Sequence, residues 1–263
     1  KESKSLWSRI KDDCSFVDDN SRLSSWLFAS NPHGTQMANL ICAIDPLYLY
    51  VAKVTEGRYG ISPGRVTKAI QWAIDQKVDI ISMSFAILDT TEEFQKACAT
   101  AVDAGIVLFC STHDEGANIA TAYPASFNDT IKLMACDEFG APTRNMKDGY
   151  DYTIQGIDVA AGVVPFLESD DRISGSSVAT AIAAGLGSLM LSCDRLANGG
   201  PSRVYSRGGR SELIKAYFRD MLAENSDKYI LLEKFAGVDR KLKDWTSIYA
   251  GAIIEEYFQK APR

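Results

Sequence analysis

Gly175-Ser176-Ser177-Val178-Ala179-Thr180-Ala181-Ile182-Ala183-Ala184-Gly185 is a glycine–serine turn that runs directly into residues small or apolar on every side. A segment of that kind reads as a helix buried in the middle of a domain, with Ser177 in its first turn. Backbone N–H groups in a first turn have no intrahelical acceptor and carry the positive end of the helix dipole. That setting suits a serine attacking a carbonyl, because charge developing on the carbonyl oxygen meets donors already in place. Turns of the same composition also precede ordinary core helices, so the stretch defines a central element before it defines a chemistry.

Working outward, the flanking sequence alternates between two periods. Met37, Leu40, Ile41 and Ile44 are spaced for one helix face, and Leu47 to Val54 reads as a strand. Val66, Ala69, Ile70, Ala73 and Ile74 repeat the helical spacing, and Val78 to Phe85 is a β-branched run fit for a strand. Phe94 to Val102 then predicts a helix ended by Gly105, followed by a strand over Ile106 to Cys110. Ile131 to Cys136 and Ile157 to Ala160 add two short strands. Strand and helix in alternation with short connections imply an α/β fold, a mostly parallel central sheet with helices on both faces.

Residues 1–30 show scattered apolar residues without a sustained period and read as loop with a helical turn. Asp194 to Arg210, with two glycine pairs and four arginines, reads as a mobile solvated loop. Beyond it, Ser211 and Glu212 cap a helix carrying Leu213, Ile214, Tyr217 and Phe218, and Trp245 to Phe258 predicts a terminal helix. The organisation expected is one domain over residues 1–200 and a helical extension over 201–263, packed on it or following it.

With 263 residues the chain can bury one sizeable core. A net charge of -6 argues against nucleic acid as the partner, since phosphate binding needs a basic face. The nearest approach to a membrane span, Ile182 to Cys193, holds glycine and serines, and no membrane insertion is expected. Six cysteines without a C-x-x-C pair exclude an evident zinc site and lean toward an intracellular setting.

Only His33 and His113 offer an imidazole. His33 opens His33-Gly34-Thr35-Gln36-Met37-Ala38, and together with the serine stretch this resembles the subtilisin-like serine proteases, whose motifs read His-Gly-Thr-x-Val-Ala-Gly and Gly-Thr-Ser-x-Ala-x-Pro-x-Val-Ala-Gly. The resemblance covers residues 30 to 193 in the family's order. Asp114-Glu115-Gly116 falls where the family has Asn-Glu-Gly, Tyr123-Pro124-Ala125 matches its Tyr-Pro-Ala, and Asp158 to Gly162 resembles its Asp-Val-x-Ala-Pro-Gly. It implies a subtilisin-like fold and a serine endopeptidase. Ser177 is then the nucleophile, His33 the general base and Asp114 the oxyanion position; Ser84, Phe85, Ala86, Ser111, Thr112 and His113 line the substrate strands. The implied partner is a peptide or protein substrate paired to strand ends near Ser84 and Ser111. No cofactor is implied; calcium is frequent in the family, but no acidic cluster here has a spacing that names its ligands.

Two departures qualify the resemblance. The family's Asp-Ser/Thr-Gly, following an apolar strand, has no counterpart in residues 1–32, where Asp12, Asp13, Asp18 and Asp19 read as surface acids. The expectation is that this aspartate lies upstream of residue 1. Asp114 supplies an acid in place of an amide N–H donor, and an ionised carboxylate there opposes an oxyanion. Ala86 and Ala181 replace a family glycine and proline, and His113 replaces a family glycine. The alternative is a catalytically weak or inactive interaction module on the same fold.

Overall fold

A computed structural model describes residues 6–19, 22–23, 25–46, 48–56, 60–112, 122–143, 149–164, 167–198, 205 and 208–232. After a 3-10 turn over Leu6–Arg9 come β1 (Ile10–Ser15), β2 (Asp18–Asp19), β3 (Arg22–Leu23), α1 (His33–Ile44), β4 (Leu49–Lys53), α2 (Pro63–Asp75) and β5 (Ile80–Met83). Next are α3 (Glu92–Asp103), β6 (Val107–Ser111), β7 (Ile131–Cys136), β8 (Tyr152–Gln155), β9 (Val159–Ala160), β10 (Arg172–Ile173), α4 (Ser176–Asn198) and α5 (Gly209–Asp220). The helices begin where their sequence directs. The Ser62 hydroxyl accepts from Arg65 N–H ahead of Pro63, and the Thr91 hydroxyl accepts from Phe94 N–H ahead of Glu92 and Glu93.

β5, β6, β7 and β8 form one parallel sheet in that order, while β1 pairs in parallel with β4 as a separate two-stranded sheet. Alternate residues of β6 feed two cores, as the two-residue period of a strand requires. Val107 and Phe109 join Met37, Leu40 and most of α4 on one side; Leu108 and Cys110 join Val66, Ile70, Phe94 and Ala101 on the other. α1, α4 and α5 therefore cover one face, and α2 and α3 the opposite one. Trp72 of α2 reaches past β5 to lie edge-on to Phe16 and Tyr50, which ties the β1–β4 pair into the same layered assembly.

Several expectations need correction. Residues 10–15 form a strand in a segment expected to be loop; its sequence, Ile-Lys-Asp-Asp-Cys-Ser, carries no apolar alternation because the strand is only half-buried. The last strand of the main sheet is Tyr152–Gln155, whereas Val159–Ala160 belongs to a two-residue antiparallel ribbon with Arg172–Ile173, and Ile157 is exposed. The segment from Asp194 begins as the last turn of α4, and two of its arginines are engaged. Arg195 and Arg210 both pair with Asp79, and buried Asp194 accepts from the hydroxyls of Tyr205 and Tyr217.

α5 buries Ile214, Tyr217 and Phe218 in the core shared with α4. The terminal helix expected over Trp245 to Phe258 lies outside the described residues. α4 is long and apolar enough to cross a membrane by length and composition, a property the count of apolar runs overlooked; most of it is buried inside the fold.

Candidate active site

α4 starts at the carboxyl edge of the main sheet, where open α/β folds place their sites. Four strand ends hold its first residues. Beyond β5, Ser84 and Ser177 exchange hydrogen bonds: Ser177 Oγ donates to the Ser84 carbonyl (3.1 Å) and Ser84 Oγ to the Ser177 carbonyl (3.2 Å). Beyond β6, the Thr112 hydroxyl donates to Ser176 Oγ (3.0 Å), which also accepts from the Ala135 N–H of β7 (3.4 Å). Beyond β8, the Gly156 carbonyl accepts from Gly175 N–H (2.8 Å). Gly156 has to be glycine for this approach: a Cβ there would lie 2.9 Å from Ala135 Cβ and 3.1 Å from the Gly175 carbonyl oxygen.

Ser177 is half-buried, and among the described residues nothing accepts from its N–H. That amide belongs to the set a helix start leaves without an intrahelical acceptor, so it is available to an oxyanion.

His33 is the first residue of α1, where Asn31 Oδ1 accepts from its N–H (2.8 Å). α1 and α4 press together at Gly185, where a Cβ would meet the Ile41 carbonyl oxygen at 3.0 Å and Ile44 Cβ at 3.1 Å. His33 precedes Ile41 by eight residues, and Ser177 precedes Gly185 by eight. Each helix thus runs about 12 Å from its first turn to the crossing.

Desolvation by neighbouring atoms pushes the His33 pKa below the usual 6.5. Among the described residues no carboxylate pairs with it, and it makes no hydrogen bond to Ser177. Hydrogen bonds between catalytic groups commonly tighten only with substrate present.

The other residues singled out by sequence divide. Phe85 and Ala86 are half-buried beside Ser84 at the same sheet edge. The side chains of Ser111 and Thr112 turn inward, Ser111 Oγ donating to the Phe85 carbonyl, so contact with a peptide there falls to the main chain. Asp114 and His113 lie outside the described residues. Sequence reasoning passed over Gln36 and Asn39 of α1, whose amides donate to the Gly162, Asp170 and Ala161 carbonyls and fasten the loop ahead of the serine. Among the described residues no group of three His, Cys, Asp or Glu could hold a metal ion.

Comparison with known proteins matches residues 10–202 to the Subtilase family. The chain is 30% identical over 176 residues to the subtilisin-like protease het-Q2 of Podospora anserina, across 60% of this chain and 48% of that protein. It is 30% identical over 133 residues to the major intracellular serine protease of Bacillus subtilis, across 45% of this chain and 42% of that one. Among solved structures, the prenylagaramide maturation protease PagA superposes with a TM-score of 0.66 at 20% identity, over 86% of this chain and 94% of its own. A cold adapted subtilisin-like serine proteinase superposes with a TM-score of 0.64 at 17% identity, over 85% and 78%. The chain spans about half the length of the first curated relatives it matches.

Proposed function

The chain belongs to the subtilase family, and from that premise we propose that it is the peptidase domain of a serine endopeptidase acting through Ser177 and His33. The observation that supports this reading is the start of α4, where Ser177 stands half-buried in a first turn held by Ser84, Thr112 and Gly156 beyond the ends of three parallel strands.

In this reading Ser177 Oγ leaves the Ser84 carbonyl, gives its proton to His33 and bonds to the scissile carbon. The oxyanion accepts from the Ser177 N–H. Collapse breaks the C–N bond as His33 returns the proton to the leaving amine, and water releases the acyl group by the same steps. The freed Ser84 carbonyl becomes an acceptor for substrate backbone at the strand edge.

An acid to orient His33 is proposed on a further parallel strand lying between β4 and β5, contributed by polypeptide before residue 1. Two facts support that placement. β4 and β5 are consecutive strands joined by α2 and are not paired with each other. β5 also has three half-buried residues out of four, while every residue of its neighbour β6 is buried.

A second reading, an inactive interaction module, is favoured by one observation: the carboxylate of Asp114 stands where the family has an amide. Treating the full-length protein with a fluorophosphonate probe and mapping the adduct tests both. Labelling at Ser177, absent in Ser177→Ala, is the expected result. A folded protein that takes no label refutes the enzyme, and a sharp gain of turnover in Asp114→Asn refutes the module.

A further inference from the structure

Thr112 was expected to face substrate, yet it is buried at 5% exposure, and its partner Ser176 is at 0%. Its main-chain N–H donates to the Leu133 carbonyl (3.0 Å), and its hydroxyl lies 3.1 Å from the same oxygen and 3.0 Å from Ser176 Oγ. One side chain therefore joins the end of β6, the body of β7 and the first turn of α4.

We propose that Thr112 is a positioning residue for Ser177, acting through the Ser176 hydroxyl; this rests on Ser177 being the nucleophile. Three features make the link directional. The pair is buried, so removing one hydroxyl from it is costly and the geometry is strongly held. Ser176 adjoins Ser177 in the chain, and Thr180 Oγ1 donates to its carbonyl (2.7 Å), so a displacement of Ser176 passes into the whole first turn. Ser177's own contacts with Ser84 are made at a half-buried edge and break when the serine reacts. The Thr112–Ser176 bond involves no reacting atom and keeps the Ser177 N–H and Oγ aimed while that happens.

The test compares Thr112→Val, which keeps the shape and removes the hydroxyl, with Thr112→Ser, which keeps the hydroxyl, in the full-length protein. Fluorophosphonylation of Ser177 is resolved into the maximal inactivation rate and the probe's apparent affinity, alongside amide exchange over residues 175–179. The expected result is a maximal rate at least about tenfold lower in Thr112→Val at unchanged affinity, faster exchange confined to the first turn of α4, and recovery of both in Thr112→Ser.

An unchanged maximal rate in folded Thr112→Val overturns the proposal. Wild-type protein that takes no label, with Thr112→Val still loosening the turn, refutes the nucleophile and leaves the anchoring bond standing; unchanged exchange as well refutes both. Should Thr112→Val not fold, Ser176→Ala removes the same bond from the other side. Failure of both variants to fold makes the pair a folding requirement and overturns a positioning role.

Discussion

Replacing Gly185 by alanine puts a methyl group 3.0 Å from the Ile41 carbonyl oxygen and 3.1 Å from Ile44 Cβ. Both atoms belong to α1, and a helical carbonyl cannot swing aside as a side-chain tip can. Opening the closest contact from 3.0 to an ordinary 3.4 Å moves α1 by about 0.4 Å relative to α4. Overpacking costs about 1–3 kcal/mol, and alanine returns about 1 kcal/mol of helix propensity. The net is a destabilisation of about 0–2 kcal/mol, a fall in Tm of no more than about 8 °C for a domain this size.

The expected effect on reactivity is of similar size in free energy. Misplacement of reacting groups costs about a hundredfold per ångström, so 0.4 Å between His33 and Ser177 lowers reactivity about sixfold. Gly187→Ala is the control: its Cβ meets the Phe109 ring at 3.0 Å and Ile214 Cδ1 at 3.2 Å, not α1. The assay pairs thermal unfolding with the rate of Ser177 labelling. Gly185→Ala reacting at the wild-type rate, or Gly187→Ala slowing it as much, refutes the claim that the helix crossing sets the base–nucleophile geometry.

On the proposed mechanism a carboxylate supplied from upstream raises the His33 pKa, so replacing that acid by its amide moves the acid limb of kcat/KM to lower pH; within residues 1–263, burial alone lowers the His33 pKa from the usual 6.5. The same shift means the native state takes up its proton later than the unfolded chain. The His33 contribution to stability, present above about 6.5, is therefore lost as pH falls through that value toward the folded pKa; His33→Gln flattens this part of the stability profile. Thiol titration checks the core independently. Burial pushes Cys98 up to about 12 and Cys136 and Cys193 up to about 11, and raises Cys110 well above its usual value. At pH 8 half-buried Cys14 and Cys42 react with iodoacetamide before any of these four; early modification of Cys110 refutes the packing of β6.

The helices and β4 to β7 were legible because their residues sit in the periodic half of the fold, where one face is buried and the pattern must show it. β1 was not, because a half-buried strand places no demand for alternation on Ile10 to Ser15. β8 was missed for a related reason. Thr153 is buried within it and interrupts the apolar run, and the strand's backbone is held from Lys228, whose carbonyl accepts from the Thr153 N–H 75 residues away. His33 and Ser177 could be picked out from short local motifs. The inward turn of Thr112 and the need for glycine at 185 depend on neighbours distant in sequence, and no window of residues displays them.

The two sheets leave the paired residues on unequal footing. Ser177 is rooted in four strand ends and a helix passing through the main core. The approach to His33 rests on Lys53 at the end of β4, whose ammonium holds the Ser25 and Phe28 carbonyls. Warming therefore loosens the segment leading into α1 before the start of α4, at temperatures where most of the polypeptide is still native.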